Sequence, residues 1–102
     1  MYEIRENQRK IDKHTITTFT REIVSANIIE VEAGTNGYCG GDSGHGSRTY
    51  IRIENVGSTD MRVYTNNDGI AIVLGGDCEL TTIIKALKFI IKVLNSQRKI
   101  KE

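Results

Sequence analysis

The sequence predicts an α+β fold, in which an antiparallel β-meander of about five strands carries a C-terminal amphipathic helix packed on one sheet face. Three observations support this class. β-branched residues dominate residues 15–33, apolar and polar residues alternate between residues 48 and 64, and residues 80–94 have the hydrophobic spacing of a helix. A chain of 102 residues has about the length of one domain with one core.

The N-terminal residues 1–14 are polar, and their apolar residues after Tyr2 are Ile4 and Ile11. We expect them to form a polar N-terminal arm, mobile or folded as a short helix, ahead of a single α+β domain at residues 15–102. The segments TITTFTREIV and NIIEVEA then read as two strands, because β-branched side chains suit a pleated surface. A short turn at residues 25–27 separates them.

A glycine-rich segment at residues 34–47, GTNGYCGGDSGHGS, holds six of the ten glycines and is predicted to be a loop. Consecutive backbone N–H groups in such a loop can line a concavity for phosphate or carboxylate, so a ligand cradle is one interpretation. The segment is not a P-loop, because GxxxxGK[ST] is absent. A flexible connector between strands and a contact for a partner protein are the alternatives.

Two strands with alternating residues follow the loop. Ile51 and Ile53 share one face of SRTYIRIENV, and DMRVYT repeats the pattern with Met61 and Val63. If these two strands pair, their polar residues form one wet, basic and aromatic face, comprising Arg48, Tyr50, Arg52, Arg62 and Tyr64. The next strand, IAIVL, is apolar on both sides and is expected to be central or covered.

The C-terminal segment has the clearest helical pattern. Its i, i+3, i+4, i+7 spacing predicts a core-facing stripe of Leu80, Ile83, Ile84, Leu87, Ile90, Ile91 and Leu94. A second apolar line, made of Ala86, Phe89 and Val93, predicts a homo-oligomer interface, because one helix on one sheet rarely needs both. Lys85, Lys88 and Lys92 form a third stripe, interpreted as a solvated face.

Composition excludes several classes of function. Fourteen Lys and Arg against thirteen Asp and Glu give a formal charge of +1, which does not support non-specific DNA binding. Two cysteines are too few for a secreted disulfide framework, and the N terminus lacks the apolar run of a signal peptide, so a cytoplasmic location is expected. No membrane association is expected, because the most apolar segment is short and contains three lysines.

The alternating polar face and the glycine-rich loop together predict a site for an anionic, nucleotide-like ligand. Guanidinium groups bind phosphate in a bidentate manner, and tyrosine rings stack on bases. The predicted ligand-binding residues are Gly40, Gly41, His45, Arg48, Tyr50, Arg52, Arg62 and Tyr64. The competing interpretation is a solvated sheet face whose arginines pair with Glu30, Glu32 and Glu54 on neighbouring strands.

Cys39, Asp42 and His45 have the residue types of a thiol or metal-dependent enzyme. Cys-x5-His lacks the paired spacing of a structural zinc site, and a glycine-rich loop seldom holds three groups rigidly. We therefore predict no metal and no cofactor, and favour a non-enzymatic role.

The motif GTNGYCGGDSGHGSRTYIRI, followed by LGGD and the amphipathic helix, resembles small uncharacterised proteins of Gram-positive bacteria and of their phages or mobile elements. The resemblance transfers no catalytic residue. It implies an accessory protein that sequesters a host nucleotide signal or blocks a host protein. The leading hypothesis is therefore an oligomeric binding protein for an anionic small molecule, and the alternatives are an inhibitor or adaptor of a host protein and the enzyme above.

Overall fold

The computed structural model describes residues 4–24, 27–37, 47–57 and 59–97. These residues form six β-strands and one α-helix, which confirms the α+β class. The elements are β1 (Arg5–Ile11), β2 (His14–Val24), β3 (Ile28–Thr35), β4 (Thr49–Gly57), β5 (Met61–Thr65), β6 (Ile70–Leu74) and α1 (Asp77–Gln97).

The first four strands form an antiparallel meander in the order β1-β2-β3-β4. Val31 lies opposite Ile53, and Glu32 lies opposite Arg52. Because side chains alternate along a strand, Val31 and Ile53 face the helix, whereas Glu32 and Arg52 lie on the open face. The alternation in the sequence therefore sorts core residues from polar residues as expected.

Strand β1 differs from the predicted arm. Residues 5–11 pair along their whole length with β2, so the expectation of a mobile arm or short helix is wrong for Arg5–Ile11. The connecting turn consists of Asp12 and Lys13, which have φ values of 49° and 72°. Positive φ at both residues belongs to a tight hairpin, but the usual Asn-Gly signal is missing. The strand itself is polar on both faces, so hydrophobic alternation could not reveal it.

Strands β5 and β6 form a separate two-stranded hairpin, in which Met61 lies opposite Leu74 and Val63 lies opposite Ile72. The expected pairing of β5 with β4 is therefore wrong. The expectation that IAIVL is central or covered is wrong as well, since Ile70 is 67% exposed. The strand count is six rather than about five, divided between two sheets.

The linker after β4 explains why β5 leaves the first sheet. The Thr59 hydroxyl lies 3.1 Å from the Ile28 carbonyl and 3.2 Å from the Gly57 carbonyl, and can donate to either. The Asn55 side-chain amide in turn donates to the Thr59 carbonyl at 2.9 Å. These bonds hold the linker against the start of β3, so the chain does not continue the meander.

Helix α1 begins at Asp77, and the Leu80 N–H donates to the Gly76 carbonyl at 3.1 Å. Gly76 has φ of +106°, and a Cβ there would lie 2.5 Å from the Glu79 Oε1 atom. Glycine is therefore the residue that this helix start can accommodate.

The helix packs mainly on β3 and, to a lesser extent, on β2. A buried bond from the Thr82 hydroxyl to the Asn27 Oδ1 atom, at 2.5 Å, anchors its first turns to the start of β3. The buried core cluster consists of Ile23, Ile29, Val31, Ala33, Ala86, Phe89, Ile90 and Val93.

The helix is rotated relative to the orientation expected from its pattern. Ala86, Phe89 and Val93, predicted as an oligomer interface, are at most 8% exposed and lie in the core, so that prediction is wrong. Four residues of the predicted core stripe are exposed instead, namely Leu80, Ile84, Leu87 and Ile91. Both lines are apolar, so hydrophobicity could not choose between them. The close fit of Ala86 and Phe89 against β3 decides the orientation.

Candidate functional site

A groove of about 590 Å³ lies between β2 and α1. It forms because the helix lies chiefly over β3, which leaves part of the helix-facing side of β2 uncovered. This volume is within the range of sites that hold small molecules. The groove is lined by Ile4, Phe19, Arg21, Glu22, Ile23, Val24, Lys85, Lys88, Phe89, Lys92, Val93 and Ser96.

The floor of the groove is apolar. Phe19 and Ile23 alternate on the helix-facing side of β2, and Phe89 and Val93 lie one turn apart on the helix. Phe89 and Val93 belong to the buried core cluster, and Phe19 packs against it. The floor is thus held rigidly by the core, and the half-buried Phe19 ring is available at its surface.

The rim of the groove is cationic. Lys85, Lys88 and Lys92 recur every three or four residues, so their side chains project from one helix flank. Arg21 lies on β2, and its guanidinium carbon is 6.0 Å from the centre of the Phe89 ring, within range of a cation–π contact. Across the described ranges, none of these four cations forms an ion pair with a carboxylate.

Four cations and one carboxylate, Glu22, therefore line a groove with an apolar floor. Bringing like charges together without counter-charges is unfavourable, and an anion would relieve their repulsion. Next to low-dielectric walls the field of the lysines is less screened than on an open surface. The arrangement is chemically suited to a molecule with an apolar or aromatic body and a negatively charged end.

The predicted arginine and tyrosine face has a different character. Arg52 donates through Nε to Glu32 at 3.0 Å and through Nη2 to Glu30 at 2.7 Å, and it also bonds Glu54. Its guanidinium is therefore occupied by carboxylates, as the competing interpretation of a paired face expected. Arg52 is not placed as an anion receptor, which corrects its assignment to the ligand site.

Glu32 is the centre of this network. Its carboxylate is fully buried and accepts two bonds of 2.7 Å from Arg9, one from Thr18 at 2.5 Å and one from Arg52. The bonds from Arg9, with those from Thr18 and Arg52, outweigh burial and lower the pKa of Glu32 to about 2. The hydrogen bonds to Glu32 raise the pKa of Arg9. This cluster holds three strands together by paired charges.

The other predicted ligand residues on β4 also have partners. Arg48 donates through Nε to Asp12 at 2.9 Å, which ties the start of β4 to the β1–β2 turn. The Tyr50 ring lies 5.3 Å from the Arg9 guanidinium carbon. Tyr50 thus stacks on an arginine of its own sheet, in the position that a ligand base was expected to take.

Arg62 and Tyr64 lie on β5, which pairs with β6 in the separate hairpin. They therefore do not share a sheet face with Arg48, Tyr50 and Arg52, and the expected single pocket is not formed by these five side chains. The reason is topological, since the expectation depended on pairing between β4 and β5.

The predicted loop residues Gly40, Gly41 and His45, and the candidate thiol or metal residues Cys39 and Asp42, lie outside the described residues. In the part of the chain that the structure describes, no group of three or more His, Cys, Asp or Glu side chains could hold a metal ion. The predictions of a ligand cradle in the glycine-rich loop at residues 34–47 and of an enzyme site at Cys39, Asp42 and His45 stay predictions.

Sequence reasoning did not identify the groove. The sequence predicts a solvated face for its lysines and gives Arg21 no role. The available signal was the spacing of the three lysines beside Phe89, together with Arg21 between Phe19 and Ile23. Only the packing of α1 on the sheet brings these two short patterns together.

No described helix is long and apolar enough to cross a membrane. Comparison with known proteins gives no relative from which a role could be inferred: no family model, no curated protein and no solved structure matches this chain.

Proposed function

We propose that this chain is a non-enzymatic binding protein that takes a small anionic, nucleotide-like ligand in the groove between β2 and α1. The observation that carries the proposal is the set of four cations around an apolar floor. The sequence predicts the same class of ligand but places its site on the arginine and tyrosine face, whereas the proposal places it in the groove. Arg52 is unsuitable there because three glutamates already occupy it.

The apolar floor favours a ligand with a planar body. The half-buried Phe19 contributes an aromatic ring to the lining, and a base can pack on such a ring regardless of its identity. Burying a base on the floor contributes through removal of apolar surface from water. The floor thus supplies most of the attraction for the body of the ligand.

The lysines supply the attraction for phosphate. The three ammonium groups follow one helix flank over two turns, so a phosphate chain or two separate phosphates can lie along them. Each exposed lysine contributes only modestly, on the order of 1 kcal/mol or less, and its contribution falls as salt increases. Discrimination between nucleotides and uncharged nucleosides therefore depends on the three lysines together.

Isothermal titration calorimetry with ATP and with cyclic di-AMP tests the proposal, with adenosine as the uncharged comparison. At least one nucleotide should bind, adenosine should bind much more weakly, and affinity should fall as salt is raised. Lys88→Gln should lower the affinity by about fivefold, because it removes the central cation of the flank. Arg62→Gln is the matched control, since it removes an exposed cation from the separate hairpin.

Three results would contradict the proposal. The first is that neither nucleotide binds, and the second is that Arg62→Gln weakens binding as much as Lys88→Gln does. The third is that dodecyl phosphate binds while both nucleotides fail, which would replace the nucleotide-like ligand by an acyl anion. Melting curves of each variant check that the fold is retained.

A further inference from the structure

A flank of α1 that adjoins the lysine flank is apolar and exposed. Leu80, Ile84, Leu87 and Ile91 recur at helical spacing and remain 43–57% exposed. We call these four residues the apolar flank. Ile83 and Leu94 lie beside it and pack partly against the core. The helix therefore presents aliphatic surface that runs without interruption from the core to solvent.

The β5–β6 hairpin adds further apolar surface. Val63, Ile70 and Val73 are 42–67% exposed, and these residues come from both faces of the hairpin. Its base is anchored by Met61 and Leu74, which pack against the core, and by a 3.0 Å bond from the Gly75 N–H to the Asp60 carbonyl. A two-stranded sheet with no further covering is marginal in water. Beyond its base, the hairpin thus leaves apolar surface that a partner surface would bury.

Strand β4 is at one end of the first sheet, so its outer backbone groups face away from β3. On its helix-facing side Ile51 is 52% exposed, because the helix lies over β3 and β2. A long edge strand with exposed aliphatic residues is a favourable site for association. Since the lysine flank faces β2, the apolar flank faces the β4 side of the molecule.

Val73 shares its face of the hairpin with Arg62, which lies directly opposite it, whereas Val63 and Ile70 lie on the other face. The apolar flank, the helix-facing side of β4 and the Val63 face of the hairpin together expose on the order of 500 Å² of aliphatic surface, as judged from seven half-exposed side chains. A homodimer of standard size buries roughly 800 Å² per partner, about two thirds of it apolar. The exposed area is comparable with that requirement.

We propose that this surface binds a second copy of the chain in a twofold homodimer. An uncharged aliphatic surface offers nothing to a charged partner, but it is complementary to itself when a twofold axis brings the same patch together from two chains. The apolar flank does not line the groove, but Lys88 borders it, because Lys88 is four residues from Ile84 and three residues from Ile91. The two proposals rest on different residues and can fail independently.

Light scattering coupled to size-exclusion chromatography tests the proposal. The wild-type chain at about 100 µM should have twice the 11.4 kDa mass of one chain. Ile84→Lys places a cation in the centre of the apolar flank and should give a monomer that retains its helical circular dichroism. Thr81→Lys is the matched control, because it places the same cation at an exposed position outside the apolar flank and should leave the dimer intact.

A wild-type monomer at this concentration overturns the proposal, and so does an assembly that Ile84→Lys leaves unchanged. If Ile84→Lys does not fold, Leu87→Ser decides the question, because it removes apolar surface without adding charge. Leu87→Ser should raise the dissociation constant of the dimer at least tenfold. An unaltered dissociation constant for that variant counts against the interface.

Discussion

The Gln97 side chain, at the end of α1, accepts a hydrogen bond from the Thr35 backbone N–H at 2.9 Å. Its own amide donates to the Thr17 carbonyl at 2.8 Å. The β2–β3 pairing stops at Phe19 and Ala33, and the same register continued for two positions would place Thr17 opposite Thr35. One amide therefore bridges two strands where their backbone ladder ends.

This bridge predicts the effect of Gln97→Ala. The substitution removes two hydrogen bonds and leaves the Thr35 N–H and the Thr17 carbonyl without the Gln97 side chain. It should lower the free energy of unfolding by about 1–2 kcal/mol. Hydrogen exchange of the Thr35 amide should accelerate more than that of Val31, in the sheet centre. Gln97→Glu retains the acceptor for Thr35 and should protect that amide better than alanine does. Equal exchange at Thr35 in wild type and Gln97→Ala would argue against the bridge.

The Glu32 cluster predicts a pH dependence of stability. The pKa of Glu32 in the folded chain is about 2, below its ordinary value of 4.5. Its contribution is therefore complete above about pH 4.5 and is lost as the pH falls toward 2. The difference corresponds to at most about 3 kcal/mol. Urea unfolding curves across this range should show it.

Glu32→Gln should be less stable than wild type at neutral pH, and its stability should change less between pH 4.5 and 2. Glu54→Gln is the control, because the Glu54 side chain is 61% exposed and should change both quantities little. An unchanged acid dependence in Glu32→Gln would show that other carboxylates dominate acid unfolding.

The orientation of α1 predicts a large loss of stability on substitution of Phe89 and a small loss on substitution of Leu87. Phe89 is 6% exposed, so Phe89→Ala should lower the free energy of unfolding by about 3–5 kcal/mol. Leu87 is 45% exposed, and Leu87→Ala should have an effect of about 1 kcal/mol or less on the folded monomer. Urea denaturation measured at low protein concentration compares the two. A larger loss for Leu87→Ala would restore the helix orientation that its hydrophobic pattern predicted.

The close packing of β2 and β3 at Gly34 requires glycine at this position. A Cβ at this position would lie 2.3 Å from the Thr17 carbonyl oxygen and 2.9 Å from the Thr18 Cα atom. Gly34→Ala should therefore lower the free energy of unfolding by about 1–3 kcal/mol, because backbone atoms must move. Gly69→Ala is the control, since its Cβ would meet Asn66 at an ordinary 3.5 Å. Thermal melts that show equal effects would contradict this close approach.

The sequence by itself determined the α+β class, the strands from Thr15 onward and the position of α1. Periodicity is a local property, so alternation around Ile51 and helical spacing around Ile90 can be read without the rest of the fold. The glutamates that pair with Arg52 could also be named from the sequence, because alternation places Glu32 and Arg52 on one face.

The tertiary structure alone decided β1, the separate hairpin, the rotation of α1 and the groove. The polar strand β1 forms through its pairing with β2. The hydrogen bonds of the Thr59 hydroxyl direct the chain away from β4, so β5 does not pair with it. Apolar residues cover most of α1, so its core side depends on shape complementarity with β3. The groove joins Arg21 to lysines more than sixty residues away, and no local pattern can specify a contact between two distant segments.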